Sequence, residues 1–243
     1  MPASSPSDVP EVIWARPERA ARGPRPGHSR AEIAAASVRV ADAEGLDAVS
    51  MRRVAAEIGC GTMSLYNYVP RKEDLYELMV DAVSGEYVFP GQPSGDWRAD
   101  MLAVARQTRA IMLRHPWLTR LMSQRYGLSP NALRYFDYCL WVLEGLEVDS
   151  GTKMELVGVI NGVVIAWVSN ELQMTDRGDT FPYGTEQEQA ARTAYLMREL
   201  GGGEYPRLAE VLRTAPPATD PDSTFERVMN RLLAGYEAEA RRS

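Results

Sequence analysis

The sequence predicts an all-α protein in which a small N-terminal helical domain precedes a larger helical body. Apolar residues recur at the three- and four-residue spacing of a helix, and no segment alternates with the period of two that a half-buried strand requires. Serine, threonine and aspartate stand before the periodic segments as N-caps, and glycine or proline follows many of them. A length of 243 residues suits one small module joined to a larger one.

The first predicted helix is bounded by two clear local signals. A serine N-cap with glutamate three residues later forms a capping box at 29–32, which opens a helix over 30–44. Apolar residues then repeat at helical spacing along this segment. Gly45 stands at the C′ position, where a positive φ ends many helices.

Two shorter helices follow, with a glycine turn between them. Ser50 caps a helix over 51–58, which the Gly59-Cys60-Gly61 turn ends. The next helix, over 62–68, has one apolar face and otherwise polar or flanking side chains. Pro70 stops it, because the residue before a proline is pushed out of the α region. A fourth helix begins near residue 71, with acidic residues in its first turn.

The remaining periodicity predicts a helical body over residues 76–243. Its helices begin at N-cap or proline signals, such as Ser129-Pro130. The predicted segments are 97–114, 116–126, 129–146, 152–174, 185–200 and 223–241. We place the domain boundaries at 1–28 for a flexible arm, 29–75 for the small domain and 76–243 for the body.

Composition places the chain among soluble globular proteins, with 45% hydrophobic and 25% charged residues. Cys60 and Cys139 have no metal-ligand spacing, so we expect no metal, no cofactor and a reducing cytoplasmic location. The first ten residues lack the apolar core of a secretory signal. The longest apolar run, 156–168, is too short to span a bilayer, so we expect no membrane partner.

Charge is unevenly distributed along the chain. A formal net charge of −6 argues at first against a nucleic-acid partner. Between residues 16 and 30, however, five arginines stand against one glutamate, and the glycines and prolines at 23–27 exclude a helix. This segment is an extended basic arm, which is either a solvated linker or a nucleic-acid contact.

Two helices joined by a tight glycine turn indicate a helix-turn-helix, whose second helix can enter the major groove of DNA. Residues 29–78 resemble the N-terminal domain of the tetracycline-repressor (TetR) family of transcriptional regulators. The matching elements are Ala34-Ala35-Ala36, Glu44-Gly45, Ser50 to Ala55, Ile58-Gly59 and, above all, Ser64 to Leu75. His115-Pro116-Trp117-Leu118 and the glycine-containing apolar helix near Gly158 and Gly162 resemble the regulatory domain of the same family.

The resemblance implies a set of DNA contacts. Arg52 would reach a base edge, since arginine reads guanine bidentately. The remaining contacts would come from the arm, the third helix and the start of the fourth: Arg22, Arg25, Thr62, Met63, Ser64, Tyr66, Asn67, Tyr68 and Lys72. Tyr66 can instead brace the third helix against the first, and Lys72 can be a solvated charge.

The body is expected to dimerise and to bind a ligand. The helix around residues 156–168 is apolar on all sides, so one face packs on its own subunit and the other on a second copy, unless it is the central helix of a monomer. The predicted interface residues are Gly158, Gly162, Ala166, Val228, Leu232 and Tyr236. The candidates for an effector pocket, which can also be plain core, are Met112, Trp117, Tyr135, Tyr138, Trp141, Asn161 and Trp167.

These observations favour a homodimeric transcriptional regulator that binds a palindromic double-stranded DNA operator. The most direct hypothesis is a repressor released by a small-molecule effector, whose identity the sequence does not state. The alternative is a ligand-binding helical dimer, a sensor or sequestering protein, with a vestigial DNA-binding domain. A helical enzyme is not supported, because neither His28 nor His115 stands in a recognisable catalytic constellation.

Overall fold

In the computed structural model the chain is described at residues 12–16, 27–122, 129–176, 186–214 and 220–242. These residues form eleven α-helices and no strand. The helices are α1 (Arg30–Glu44), α2 (Met51–Glu57), α3 (Thr62–Tyr68), α4 (Lys72–Ser84), α5 (Trp97–Arg114), α6 (Leu118–Met122), α7 (Pro130–Val142), α8 (Ser150–Asp176), α9 (Glu186–Gly201), α10 (Pro206–Thr214) and α11 (Pro221–Ala240). The predicted all-α class is confirmed.

The small N-terminal domain packs α1, α2 and α3 around an apolar core. Ile33 of α1, Val54 of α2 and Leu65 of α3 are all fully buried. Gly45 and Gly59 adopt φ values of +84° and +73°, which an L side chain rarely tolerates, and they permit the sharp turns after α1 and α2. The arrangement of the three helices therefore follows from the spacing of their apolar residues and from two turns that require glycine.

Part of the predicted N-terminal arm belongs to this domain. Ile13 is fully buried in the core, and Arg30 donates from Nη1 to the carbonyl oxygens of Ile13 and Arg16, at 2.8 and 2.9 Å. The predicted flexible arm over residues 1–28 is thus wrong for residues 12–16. The prediction failed because the apolar stretch that holds Ile13 and Trp14 is only four residues long and lies next to a basic segment, so it shows no periodicity.

The helix α4 connects the small domain to the body. It packs on α1 of the small domain and on α6 and α7 of the body. Asn131 at the start of α7 clamps it, because its backbone N–H donates to Asp81 Oδ1 at 2.7 Å and its amide nitrogen to Asp81 Oδ2 at 2.9 Å. These hydrogen bonds join the start of α7 directly to α4.

The centre of the body consists of α5, α8 and α11, which pack on one another. Arg109 of α5 joins the three, since its guanidinium contacts Glu171 of α8 at 2.7 Å and Asp222 of α11 at 2.6 Å. These two carboxylates hold the pKa of Arg109 above its ordinary value. The same guanidinium lies over the ring of the buried Phe225, 5.2 Å from its centroid.

The helix α8 is longer and more exposed than the sequence alone suggests. Over Ser150–Gln173 it is long and apolar enough to cross a membrane by length and composition, and 28% of that stretch is buried within the subunit. One such helix among the described residues is weak support for a membrane span, because core helices pass the same test. Here one face of α8 packs on α5, α7 and α11.

Most predicted boundaries agree with the structure to within two residues, and three regions differ. The helix predicted over 129–146 ends at Val142, where a 3₁₀ turn over Leu143–Gly145 follows. The segment predicted at 116–126 is helical over Leu118–Met122, and residues 123–128 lie outside the described part. The helix α10 was not predicted, because nine residues provide little more than two turns of periodicity. It packs on α9, and the pair exposes apolar side chains such as Met197 and Val211.

Candidate DNA-binding surface and ligand cavity

The outer face of α3 presents the polar and flanking residues that the sequence pattern singles out. Leu65 is buried beneath the helix, which fixes the opposite face outward. Met63 is 79% exposed and Tyr66 43% exposed, so neither contributes mainly to the core. Asn67 is also exposed, and half-buried side chains complete the face: Thr62, Ser64 and Tyr68. A short helix with these groups outward can enter a major groove.

Arg52 and Arg53 are adjacent in sequence and differ in their surroundings. Arg53 is held by two carboxylates, with Nη2 at 2.6 Å from Glu44 and Nη1 at 3.0 Å from Glu57. These contacts raise the pKa of its guanidinium and keep it on the protein surface. Arg52 is exposed and forms no ion pair with the described residues. Of the two arginines, Arg52 is the one available to a ligand such as DNA.

A second cationic group lies at the start of α4. Lys72 is the first residue of that helix and is exposed, with its Nζ 5.3 Å from the centroid of the Tyr76 ring. The neighbouring Arg71 is the N-cap residue of α4, and its side chain is engaged, because the buried Asp74 carboxylate accepts from its backbone N–H and from its guanidinium. The helix N-terminus thus offers a free ammonium group, next to the positive end of the helix dipole, to a phosphate. Arg22 and Arg25, the predicted contacts of the arm, lie outside the described residues.

The body contains a cavity of about 80 Å³ between α4, α5, α6, α7 and α8. Its described lining is mainly apolar and aromatic, with few polar groups. The lining residues are Val80, Ser84, Tyr87, Thr108, Ile111, Met112, Leu118, Met122, Ala132, Tyr135, Phe136, Asn161 and Ile165. Ligand sites usually provide roughly 300–1,000 Å³, so a bound molecule of ordinary size has to widen this cavity.

Three of the predicted pocket residues, Met112, Tyr135 and Asn161, line this cavity. The predicted aromatics at 117, 138, 141 and 167 lie elsewhere. Trp117 donates to Asp42 of α1, and Trp167 packs edge-on against Phe225. Tyr138 stacks on Phe89 with ring centroids 4.3 Å apart, and Trp141 borders an open groove between α7 and α8. Helical spacing alone could not separate the two faces of α7, since both carry aromatic residues.

Two hydrogen-bonded pairs organise the polar part of the cavity wall. Tyr135 donates its hydroxyl to Asn161 Oδ1 at 2.6 Å, and Tyr87 donates to Thr108 Oγ1 at 2.9 Å. Burial raises the pKa of both tyrosines, so both hydroxyls stay protonated as donors. Asn161, which interrupts the apolar run at 156–168, thus has a hydrogen-bond partner within its own subunit.

A polar junction between the two domains was missed by sequence reasoning. Asp42 of α1 accepts with Oδ1 from Trp117 Nε1 at 2.6 Å and lies 2.8 Å from His115 Nδ1. The other imidazole nitrogen of the buried His115 lies 3.0 Å from Glu86 Oε1. The signal in the sequence was His115-Pro116-Trp117 itself, but its partner is 73 residues away, and periodicity says nothing about that pairing.

The predicted dimer residues lie on the outward faces of α8 and α11. Gly158, Gly162 and Ala166 are exposed, and no atom lies within 4 Å of where a Cβ would stand on either glycine. On α11, half-buried apolar residues continue the same surface: Val228, Leu232 and Tyr236. Tyr236 also donates to Glu155 of α8 at 2.8 Å, which ties the two helices together.

A helix-turn-helix with an exposed recognition face, joined through α4 to a body with an internal cavity, defines a ligand-responsive DNA-binding regulator. Residues 33–79 match the family model of bacterial regulatory proteins of the tetR family, and residues 89–240 match that of the tetracyclin repressor-like C-terminal domain. The chain belongs to the TetR family, as the resemblance of residues 29–78 predicts, and is a DNA-binding regulator of transcription.

Similar proteins extend over nearly the whole chain. The HTH-type transcriptional repressor DrrR1 of Streptomyces coeruleorubidus is 35% identical over 93% of this chain and 84% of its own length. An HTH-type transcriptional regulator of Saccharopolyspora erythraea is 30% identical over 98% of this chain and 96% of its own. Among solved structures, the TetR family protein ActR of Streptomyces coelicolor in complex with actinorhodin has a TM-score of 0.72 at 27% identity, covering 88% of this chain and 98% of that one.

Proposed function

We propose that this regulator is a homodimeric repressor whose binding to a palindromic operator is relieved when a small molecule enters the cavity of the body. The observation that carries the proposal is the course of α4. This helix begins with Lys72 on the DNA-facing side and lines the cavity with Val80 and Ser84, about 12 and 18 Å further along its axis. A single rigid element therefore touches both proposed sites. DrrR1 is named as a repressor and ActR was solved with a bound small molecule, which supports both halves of the proposal.

The small volume of the cavity supplies the mechanism. At about 80 Å³ the cavity cannot hold an ordinary effector without movement of its walls. The walls include Val80 and Ser84 of α4 and Leu118 and Met122 of α6. An effector that binds the widened cavity more tightly than the narrow one shifts the population toward the widened form, by an amount set by the difference between the two affinities. Because α4 forms part of the wall, its angle changes in the widened form.

The DNA side of the mechanism depends on spacing between two copies. Two recognition helices can occupy successive major grooves only if they stand about 34–36 Å apart. Movement of α4 in each subunit changes this spacing, because α1 and α4 pack together as one unit. The widened form therefore fits the operator poorly, and repression ends.

Footprinting tests this function directly. Purified full-length protein is incubated at low salt with the intergenic DNA beside its own gene, and a protected region of two half-sites about one helical turn apart is expected. Unrelated DNA of the same length and base composition is the control. Absence of protection on the intergenic DNA would contradict the repressor proposal and favour a ligand-binding dimer with a vestigial DNA-binding domain.

A further inference from the structure

The wall of the cavity indicates the chemical class of the effector, an inference that rests on the proposed function. None of the described residues that line the cavity carries a charge. The walls instead present aromatic rings and thioethers, with the Tyr135 and Phe136 rings edge-on at 5.5 Å and Met112 and Met122 nearby. A charged ligand would lose its hydration in such surroundings without gaining a partner of opposite charge. The aromatic ring of a ligand, by contrast, makes favourable contacts with both the aromatic rings and the thioethers of the wall.

The polar groups of the wall are unequally satisfied. Thr108 Oγ1 donates to the Val104 carbonyl at 3.0 Å and accepts from Tyr87, so its hydrogen-bonding capacity is largely used. Asn161 accepts at Oδ1 from Tyr135, while its amide nitrogen has no hydrogen-bond partner among the described residues. In the 2.6 Å contact the Tyr135 hydroxyl donates to Asn161 Oδ1, and burial, which raises the pKa of the phenol, keeps that donor proton in place. This orientation of the amide leaves its N–H groups for another acceptor.

We propose that the effector is an uncharged aromatic molecule whose carbonyl oxygen accepts a hydrogen bond from Asn161 Nδ2. A carbonyl suits this position better than a hydroxyl, because it accepts without bringing a donor that needs a further partner. The ring system occupies the space between Phe136, Met112 and Ile165, which all line the cavity. Asn161 is then a specificity-determining residue, which selects a ligand with an acceptor over a plain hydrocarbon of the same size.

Three probes of similar shape test the proposal by titration calorimetry on the full-length protein. Chromone is uncharged and has a ring carbonyl, naphthalene lacks the acceptor, and chromone-2-carboxylate adds a negative charge. Chromone should bind about five- to tenfold more tightly than naphthalene, the ratio expected for one hydrogen bond. The carboxylate should bind at least about tenfold more weakly than chromone, because its charge has to be desolvated.

Substitution of the amide gives a second, independent readout. Asn161→Leu should reduce chromone affinity to that of naphthalene and leave naphthalene binding equal or stronger. Asn230→Leu, which removes an exposed amide on α11 outside the cavity, is the matched control and should change neither. An unchanged ratio of chromone to naphthalene in Asn161→Leu would overturn the proposal.

If Asn161→Leu fails to fold, the affinities of the wild-type protein for the three probes still test the proposed class of effector. Tighter binding of the carboxylate than of chromone, or no detectable chromone binding at millimolar concentration, would contradict the proposed class of effector. A gel shift on the operator fragment, run on wild-type protein and on Asn161→Leu, separates this failure from that of the repressor proposal. If the wild-type protein does not bind the operator fragment, the repressor proposal is overturned. The ratios of affinity for the three probes then still test the class of ligand.

Discussion

At the scale of single residues, two neighbouring arginines show how the same side chain takes different roles. Arg53 is held between Glu44 and Glu57, whereas Arg52 extends outward from the start of α2. The fixed arginine stabilises the small domain locally, and such exposed pairs contribute little individually. The outward one is the candidate for reading a base, which is the commonest use of arginine in a major groove.

The proposed phosphate contacts predict a change in the salt dependence of operator binding. The double variant Tyr66→Phe, Lys72→Ala should bind more weakly, and the slope of log K against log salt should become shallower by about one unit per subunit. The charged Lys72 releases a counterion from the DNA when it binds a phosphate, which contributes to the slope. The uncharged Tyr66 hydroxyl contributes to affinity without releasing a counterion. The slope is measured by fluorescence anisotropy across a salt series.

The chain supplies a matched control for this experiment. Lys153, the other of the two lysines, lies on α8 in the body. Lys153→Ala should leave both affinity and slope unchanged. A slope that stays the same in the double variant would remove Lys72 from the phosphate contacts.

At the scale of elements, α8 has two faces with different environments. Leu156, Ile160 and Val164 are buried against the subunit's own core, whereas Met154 and Val159 are at least 36% exposed. Exposed glycines lie on the outward side, where two helices can approach closely. An apolar helix with one face left open supports the proposal that a second copy covers it.

A charge placed on this face should separate the subunits without unfolding them. Gly162→Glu has room within the subunit, since no atom lies within 4 Å of the Cβ position, and glutamate favours a helix over glycine by a few tenths of a kcal/mol. Two buried carboxylates would face each other across the interface. Sedimentation should therefore show a monomer with unchanged helical content and weakened operator binding.

Ala103→Glu, on an exposed position of α5, is the corresponding control and should remain dimeric. If Gly162→Glu sediments as the wild-type protein does, the interface lies on another surface.

At the scale of the whole molecule, the junction at Asp42 connects the DNA-binding domain to the helix that borders the cavity. His115 and Trp117 precede α6, and α6 contributes Leu118 and Met122 to the cavity wall. In the proposed mechanism, movement of α6 on ligand binding acts on α1 through Asp42 as well as through α4. The two routes are parallel, since both begin at the same cavity and end in the same small domain.

Removal of the junction should cost stability across the whole chain. Asp42→Leu leaves the Trp117 indole N–H without its acceptor and His115 Nδ1 without its carboxylate partner, while Nε2 keeps Glu86, at a cost of about 2–4 kcal/mol in the free energy of unfolding. Urea denaturation followed by circular dichroism measures this loss. Asp47→Ala, which removes an exposed pair with Arg120 at the same junction, should cost less than about 1 kcal/mol. Equal losses in the two variants would contradict the role given to Asp42.

The helices could be predicted well because their signals are local. The capping box at Ser29, the glycine at 45 and the proline at 70 act within one turn of the chain, so the bounds of α1 and α3 follow from neighbouring residues. Weaker local signals explain the two misses. The helix α10 has only nine residues, and the buried Ile13 lies in an apolar stretch of four residues, which is too short to show periodicity.

The amino-acid sequence by itself determined the class of the fold, the helix-turn-helix, the family and the outward face of α3. All of these depend on spacing along one segment or on a contiguous motif. Only the tertiary structure decided which aromatic residues line the cavity, that Arg53 is engaged while Arg52 is available, and that Asp42 holds His115 and Trp117. Those facts depend on contacts between residues far apart in the chain. Packing brings such side chains together, and the local pattern along one helix does not predict which residue of another helix it will contact.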